Sequence, residues 1–325
     1  MSDTMKAVIA EDGKPLSLQD VPRPTPGDNE VLVKINAAGL NRADLVQRAG
    51  KYPPPPGASD IMGLECAGTI EALGANVSGW QAGDRVCALL AGGGYAEYCA
   101  VDAGSLLRVP DNLTLLKAAA LPEAMMTVYA NIFMRCAFKP GESILIHGGT
   151  SGIGSMAIQM VKAAGAEEIW TTAGSAEKCK AAETLGATRA INYKEEDFEE
   201  IVRAGGSADV ILDMVGGDYV QKNISAAKVN GRICNIAYLN GSKVELNLIH
   251  LMMKRLVLTG TTLRARPVEE KAEIRAAIED QFWPLVAAGD IRPVIDETFD
   301  FDEAEAAQAL MAKGGHIGKI LLKVG

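Results

Sequence analysis

The residues best placed to do chemistry lie in one short run. Ser143-Ile144-Leu145-Ile146-His147-Gly148-Gly149-Thr150-Ser151-Gly152-Ile153-Gly154 passes from an apolar strand through glycines into an apolar helix. A dinucleotide pyrophosphate needs that order. Small residues let the backbone approach, and a helix N-terminus offers N–H groups and a positive dipole end. Gly149, Thr150, Ser151, Gly152 and Ile153 are therefore assigned to a cofactor. Ser151 stands where the G-x-G-x-x-G pattern has its second glycine. The competing reading is a tight turn without a ligand; the strand before, the helix after and three further strand–helix units argue against it.

The second strand ends Thr171-Thr172-Ala173-Gly174-Ser175, with no carboxylate at the tip. NAD enzymes carry an acidic residue there, about twenty positions past the loop, to hold the ribose 2′-hydroxyl. Lys178 falls one turn into the next helix, where a lysine is a point charge for a 2′-phosphate; the alternative is a solvated helix lysine. NADPH is expected over NADH. The loop wording also resembles short-chain dehydrogenases, which place it near the chain start and use a Tyr-x-x-x-Lys pair. Here it lies mid-chain, and Tyr193, Tyr219 and Tyr238 meet Asp197, Asn223 and Ser242 four residues on. That family is rejected.

The elements that must position these residues follow from pattern. At 325 residues the chain is long for one core, so two domains are expected. Hydrophobic residues are 48% and charged residues 22%, the proportions of a folded globular protein. Lys and Arg number 32 against 41 Asp and Glu, giving a net charge of −9, which excludes nucleic-acid binding by bulk charge. No run approaches 18 uninterrupted apolar residues, so no membrane span is expected. The opening Met1-Ser2-Asp3-Thr4-Met5-Lys6 has no secretory pattern, and six cysteines are scattered without a C-x-x-C pair. Reduced thiols in the cytoplasm are the expectation.

The first ~125 residues read as short strands (Met5–Ala10, Glu30–Ala38, Leu64–Leu73, Arg85–Leu90, Tyr95–Val101) punctuated by Gly and Pro. From Glu123 strands and helices alternate, which implies parallel βαβ units wound on both faces of a sheet. A charged helix is expected at Glu195–Val202. After Arg264 a long helix (Glu269–Ala287), a short one (Asp302–Met311) and a closing strand (Lys319–Val324) are expected. The tail is read as returning to the first domain, giving 1–124 with 265–325 as one domain and 125–264 as the other.

Gly63-Leu64-Glu65-Cys66-Ala67-Gly68, then Gly74 and Val77, then Gly83-Asp84-Arg85-Val86 resemble the signature of medium-chain dehydrogenases/reductases. Asn41-Arg42-Ala43-Asp44, Gly50-Lys51-Tyr52-Pro53-Pro54-Pro55, Met126-Thr127-Val128-Tyr129, Gly174-Ser175 with Lys178, and Ile317-Gly318-Lys319-Ile320 are similar to its zinc-free quinone oxidoreductases, the zeta-crystallin type. The resemblance implies an α/β chain, with a GroES-like β-rich catalytic domain plus a Rossmann doubly wound parallel-sheet domain. It departs from the alcohol-dehydrogenase branch in its metal positions. Leu64 stands where that branch has a zinc-ligand histidine, Asn41 and Asp44 lie where its catalytic cysteine is expected, and there is no four-cysteine lobe. None of the three histidines has metal-ligand spacing to a cysteine. His147 reads as a packing or hydrogen-bonding residue. No metal is expected.

A quinone suits a site without a Lewis acid, since it is already electrophilic and needs proximity more than acid catalysis. The resemblance places Tyr52 beside the nicotinamide, where its ring could cover a planar substrate; the competing reading is a tyrosine packed on its prolines. Asn41 and Thr127 orient the nicotinamide or a substrate oxygen, or serve as turn and helix-face residues. Around the cofactor the resemblance implies Gly174, Ser175, Lys178, Tyr193, Tyr238, Leu239, Leu263, Arg264 and Lys319. Two other readings stay open: an enoyl or enone reductase, and a non-catalytic NADPH-binding protein. The apolar edge Leu256-Val257-Leu258-Thr259 could pair across a two-fold axis, so a homodimer is expected.

Overall fold

The structure, a computed structural model, describes residues 3–325; Met1 and Ser2, where the reading of the N-terminus begins, lie outside the described residues. Two compact units divide the chain. One holds the residues up to Met126 together with Leu263–Gly325, the other Thr127–Thr262.

The Thr127–Thr262 unit is built on six parallel strands: Ser143–Ile146, Glu168–Ala173, Arg189–Asn192, Ala208–Asp213, Ala227–Asn235 and Val257–Gly260. In space their order is third, second, first, fourth, fifth, sixth. Helices Gly152–Ala163, Ala176–Leu185, Phe198–Ala204 and Tyr219–Ala226 make the crossovers. The central strands are apolar on both faces because helices cover both: Ile144, Leu145, Ile146, Ile211 and Leu212 are fully buried. The order reverses between the first and fourth strands, and ligands of such sheets sit outside the carboxyl ends at that point. The helix expected at Glu195–Val202 is instead Phe198–Ala204. Asp197 caps it, accepting from Glu199 N–H at 2.8 Å, while Glu196 folds back on Asn192 N–H.

In the other unit the ten-residue strand Glu30–Gly39 is central. Glu65–Leu73, Tyr98–Asp102 and the closing strand Lys319–Lys323 all pair with it antiparallel. Val31, Val33 and Ile35 face one core cluster with Ile70, Val86 and Leu106. Past a bulge between Ile35 and Ala37, Ala38 and Leu40 belong to a second cluster with Phe301, Ile320 and Leu322. Three strands fall outside the sequence reading: Ser17–Pro22, Ile295–Asp300 and the short Leu106–Arg108, which pairs with Arg85–Leu89. Ser17–Pro22 pairs only with Thr4–Ile9 and ends on a proline, as an edge strand can. Ile295–Asp300 is largely acidic and pairs parallel to Lys319–Lys323. The long helix expected over Glu269–Ala287 is two, Val268–Gln281 and Trp283–Ala288. Pro284, in the first turn of the second, has no N–H to continue the first.

One buried ion pair ties this unit together. Lys319 Nζ lies 2.5 Å from Glu65 Oε1, with the side chains 6% and 0% exposed. The ammonium also donates to the Leu40 carbonyl at 2.6 Å and Asn41 Oδ1 at 2.7 Å, so its three protons are all used. Removing one ion leaves the other uncompensated. Lys319→Met should cost about 3–5 kcal/mol in chemical denaturation, and adding Glu65→Gln should recover most of it. A loss below ~1 kcal/mol for Lys319→Met would show that the pair does not hold the sheet.

Candidate active site

The glycine loop leaves the first strand of the parallel sheet at its carboxyl end. Gly149 N–H donates to the Thr172 carbonyl at 3.0 Å, pressing the loop onto the second strand. A Cβ at Gly149 would stand 1.9 Å from Thr171 Oγ1, and one at Gly154 would stand 2.2 Å from the Gly148 carbonyl. Those two positions admit only glycine. Ser151 is different: its backbone is extended (φ −70°, ψ 168°), and its hydroxyl accepts the Gly154 N–H at 2.9 Å. The serine in the second-glycine position is thus the helix N-cap, a role typically worth ~1 kcal/mol. The first-turn N–H groups of Gly152 and Ile153 have no acceptor inside the helix and stand at its positive end, a seat for an anion.

A buried polar chain fixes the loop from below. Gly148 N–H donates to Thr172 Oγ1 at 3.2 Å, and Thr172 Oγ1 is 3.1 Å from His147 Nδ1. His147 Nε2 is 2.8 Å from Asn223 Oδ1, and Asn223 Nδ2 donates to Asp213 Oδ2 at 3.0 Å. Because the Asn223 amide spends its N–H on Asp213, its oxygen accepts, so His147 carries its proton on Nε2 and Nδ1 accepts from Thr172. Burial pulls the imidazole pKa down, against the opposing pull of Asp213, which favours this neutral form. Asp213 Oδ1 meanwhile accepts from Val215 and Gly216 N–H at 2.7 and 3.1 Å, shaping the turn after the fourth strand.

At the second strand's tip, a Cβ on Gly174 would stand 2.6 Å from the Tyr193 hydroxyl. Ser175 caps the next helix and accepts Lys178 N–H at 3.3 Å, which fixes the lysine backbone in the first turn. Tyr193, Tyr238 and Leu239 are each about half exposed. Met214 joins their region to the loop: its sulfur lies 3.6 Å from Ser151 Oγ, and its carbonyl accepts Leu239 N–H at 3.2 Å. Thr127 is buried in helix Pro122–Val128, where its carbonyl accepts from Asn131. Sequence reasoning missed Met214, Thr172, Asn223 and Asp213. Only their position at or just beyond strand ends could have signalled Met214, Thr172 and Asp213; nothing local marks Asn223.

The remaining expected residues belong to the other unit. Asn41 caps helix Arg42–Arg48, donating its N–H to Asp44 Oδ2 at 2.8 Å. Its side-chain NH₂ donates to Glu65 Oε1 and the Gly39 carbonyl, and its oxygen accepts from Lys319. Asp44 also accepts the Tyr95 hydroxyl at 2.9 Å, and burial pushes its carboxyl up to about 6. Tyr52 is half-buried. Burial raises its phenol, the Glu123 charge adds to the effect and Arg264 opposes it, so the hydroxyl stays protonated and can donate. Arg264 is buried with its guanidinium against Tyr52, and Leu263 is buried beside it in the chain. The structure therefore brings Asn41 to Lys319 and Tyr52 to Arg264 within one unit. It gathers Gly149–Ile153, Gly174, Ser175, Lys178, Tyr193, Tyr238 and Leu239 at strand ends of the other.

Comparison with known proteins agrees with this geometry. Two family descriptions match, "Alcohol dehydrogenase GroES-like domain" over residues 27–111 and "Zinc-binding dehydrogenase" over residues 152–280. The chain is 32% identical to the quinone oxidoreductase of Lama guanicoe, across 98% of this chain and 97% of that protein. It is similar to the solved quinone oxidoreductase of Pseudomonas syringae pv. Tomato DC3000 (28% identity, TM-score 0.84, 99% of this chain and 100% of that one). The CurK enoyl reductase structure is also similar (26% identity, TM-score 0.85, 100% of both chains). With a parallel nucleotide-type sheet, a GroES-like sheet and full-length relatives of this kind, the chain belongs to the medium-chain dehydrogenase/reductase superfamily, beside its quinone oxidoreductases of the zeta-crystallin type.

Proposed function

We propose that this oxidoreductase is a zinc-free, NADPH-dependent quinone reductase. The observation that carries the reading is chemical: a dinucleotide seat is combined with family metal positions that hold Leu64, which is buried and apolar, and Asn41, whose amide is spent on Lys319, Glu65 and Gly39. These residues do not fit a zinc ion. Among the described residues no group of three or more His, Cys, Asp or Glu is arranged to hold a metal. An acceptor that needs no Lewis acid is then required, and a quinone meets that need.

NADPH, when bound, supplies the hydride. The N–H groups of Gly152 and Ile153 would hold its pyrophosphate, Lys178 in the helix capped by Ser175 would take its 2′-phosphate with Tyr193 nearby, and Tyr238 and Leu239 would supply apolar contact. Tyr52 covers the flat acceptor, and Thr127 orients its oxygen or the nicotinamide. Hydride addition to the quinone leaves a hydroquinone anion, which water protonates. Asn41 enters as the residue that fixes helix Arg42–Arg48, and Lys319 as its hydrogen-bond donor and the counter-ion of Glu65, since neither has a donor to spare.

The similarity to an enoyl reductase supports a second acceptor class, an enone or acyl-CoA, by the same hydride chemistry. A homodimer is supported by the strand Val257–Gly260, which ends the sheet order, and by exposed Leu248, Ile249, Met252, Met253 and Val257 nearby in the chain. A cytoplasmic setting is supported by six free cysteines, and no helix among the described residues is long and apolar enough to cross a membrane.

Assayed with NADPH against ortho- and para-quinones, enones and a crotonyl-CoA-type substrate, the protein should turn over an ortho-quinone fastest. Tyr52→Ala should raise its KM roughly tenfold, ~1.4 kcal/mol, with less change in NADPH affinity. Turnover of the acyl-CoA alone would assign the second class, and unchanged quinone kinetics in Tyr52→Ala would leave Tyr52 a proline-packing residue. Lys178→Ala should weaken NADPH by roughly 1.5–3 kcal/mol and leave NADH nearly unaffected; equal losses would remove the 2′-phosphate role. Elemental analysis should find no stoichiometric zinc, and chelators should leave activity unchanged. One zinc per chain would overturn the zinc-free reading.

A further inference from the structure

Arg264 is 4% exposed, yet among the described residues it forms no ion pair. Its guanidinium meets three neutral acceptors instead. Nε donates to the Ala91 carbonyl at 2.7 Å, Nη1 to the Tyr52 carbonyl at 3.1 Å and Nη2 to Gln47 Oε1 at 2.8 Å. The same guanidinium carbon lies 5.2 Å from the centre of the Tyr52 ring. Behind it, the buried Lys271 ammonium donates to the Arg264 carbonyl at 2.8 Å, and Gln47 passes its own NH₂ on to the Asp60 carbonyl.

These contacts answer a problem posed by the sequence. Tyr52 is followed by Pro53-Pro54-Pro55-Pro56, four residues without a backbone N–H. Such a run is stiff but has no N–H donors, so it is held through its carbonyls: Pro55 accepts the Ala58 N–H at 3.0 Å at its far end. Arg264 supplies the donor at the entrance to the run. Its fork carries three bonds in three directions while its central carbon stands over the aromatic ring, an arrangement that a lysine ammonium cannot reproduce.

We propose that Arg264 is the positioning residue of Tyr52: it sets where the ring stands and so which flat acceptors the ring can cover. This rests on the reading of Tyr52 given above, and it moves Arg264 from the cofactor to the acceptor side of the reaction. A guanidinium this buried, with three of its directions filled, has little left for a phosphate.

The test uses the full-length protein carrying 3-fluorotyrosine, with the Tyr52 ¹⁹F resonance assigned through Tyr52→Phe, and the variants Arg264→Lys and Gln47→Met. Arg264→Lys keeps the charge and loses the fork; Gln47→Met removes one anchor should Arg264→Lys fail to fold. The Tyr52 resonance should shift or broaden in either variant. In Arg264→Lys the ortho-quinone KM should rise roughly tenfold while the NADPH dissociation constant stays within about twofold. In a Tyr52→Ala background the same substitution should add nothing to KM. An unchanged Tyr52 resonance, an additive KM effect, or a loss of NADPH affinity as large as the KM change would each overturn the proposal. If the wild type reduces no quinone, the proposed reaction fails, and the ¹⁹F signal still decides whether Arg264 positions Tyr52.

Discussion

The unit formed by the two ends of the chain depends on one buried cation, Lys319. Taking an ammonium and a carboxylate out of solvent costs several kcal/mol per ion, and mutual attraction offsets this only when the remaining hydrogen-bonding capacity is also filled. Lys319 and Glu65 meet that condition. The ammonium has three acceptors, and Glu65 receives Lys319 and the Asn41 NH₂ on one oxygen and the Glu123 N–H on the other. Several other features follow. Gly39 must lack a side chain, because a Cβ would stand 2.3 Å from the Glu65 carboxylate. Asn41 must be an amide, since it donates to one ion and accepts from the other. The closing strand must return to Glu30–Gly39, because it carries the cation.

The parallel-sheet unit solves the same problem without a cation. Asp213 is fully buried and, among the described residues, lies in no ion pair, but four N–H groups point at its two oxygens, from Asn223, Asn235, Val215 and Gly216. Fixed dipoles take the place of water. From that carboxylate, neutral donors and acceptors on Asn223, His147 and Thr172 lead to the Gly148 N–H and set the loop's posture.

Much of this was legible where the signal is local. The glycine loop, the alternation of strands and helices and the buried β-strands all declare themselves in residue types at short spacing. The strands Ser17–Pro22 and Ile295–Asp300 did not, since edge pairing leaves them half-exposed and polar, with no alternation to read. Pro284 was visible, but the helical pattern around it runs on across the break. Of the candidate site, Asn41, Tyr52, Arg264 and Lys319 were singled out, yet their partnerships were not. Asn41 and Lys319 are 278 positions apart, and no periodicity links a lysine in a closing strand to an asparagine at a helix start. The exposed Tyr193, Tyr238 and Leu239 differ from the buried Arg264 and Lys319 only in three dimensions.

The electrostatics of the whole chain explain why the nucleotide seat is built as it is. A nicotinamide dinucleotide is an anion, and a protein of net charge −9 does not attract it from a distance. At physiological salt the general repulsion fades beyond ~8 Å, so affinity is decided by groups that touch the phosphates. Helix N–H groups suit that role because their dipoles do not depend on net charge or on pH. Ser151 then has a use that a glycine in its place would lack: by capping the Gly154 N–H it holds the first turn in register while the Gly152 and Ile153 donors stay directed outward. Ser175 repeats the device on the next helix at Lys178 N–H. The two capped helix starts thus hold their first-turn N–H groups in register by the same local bond.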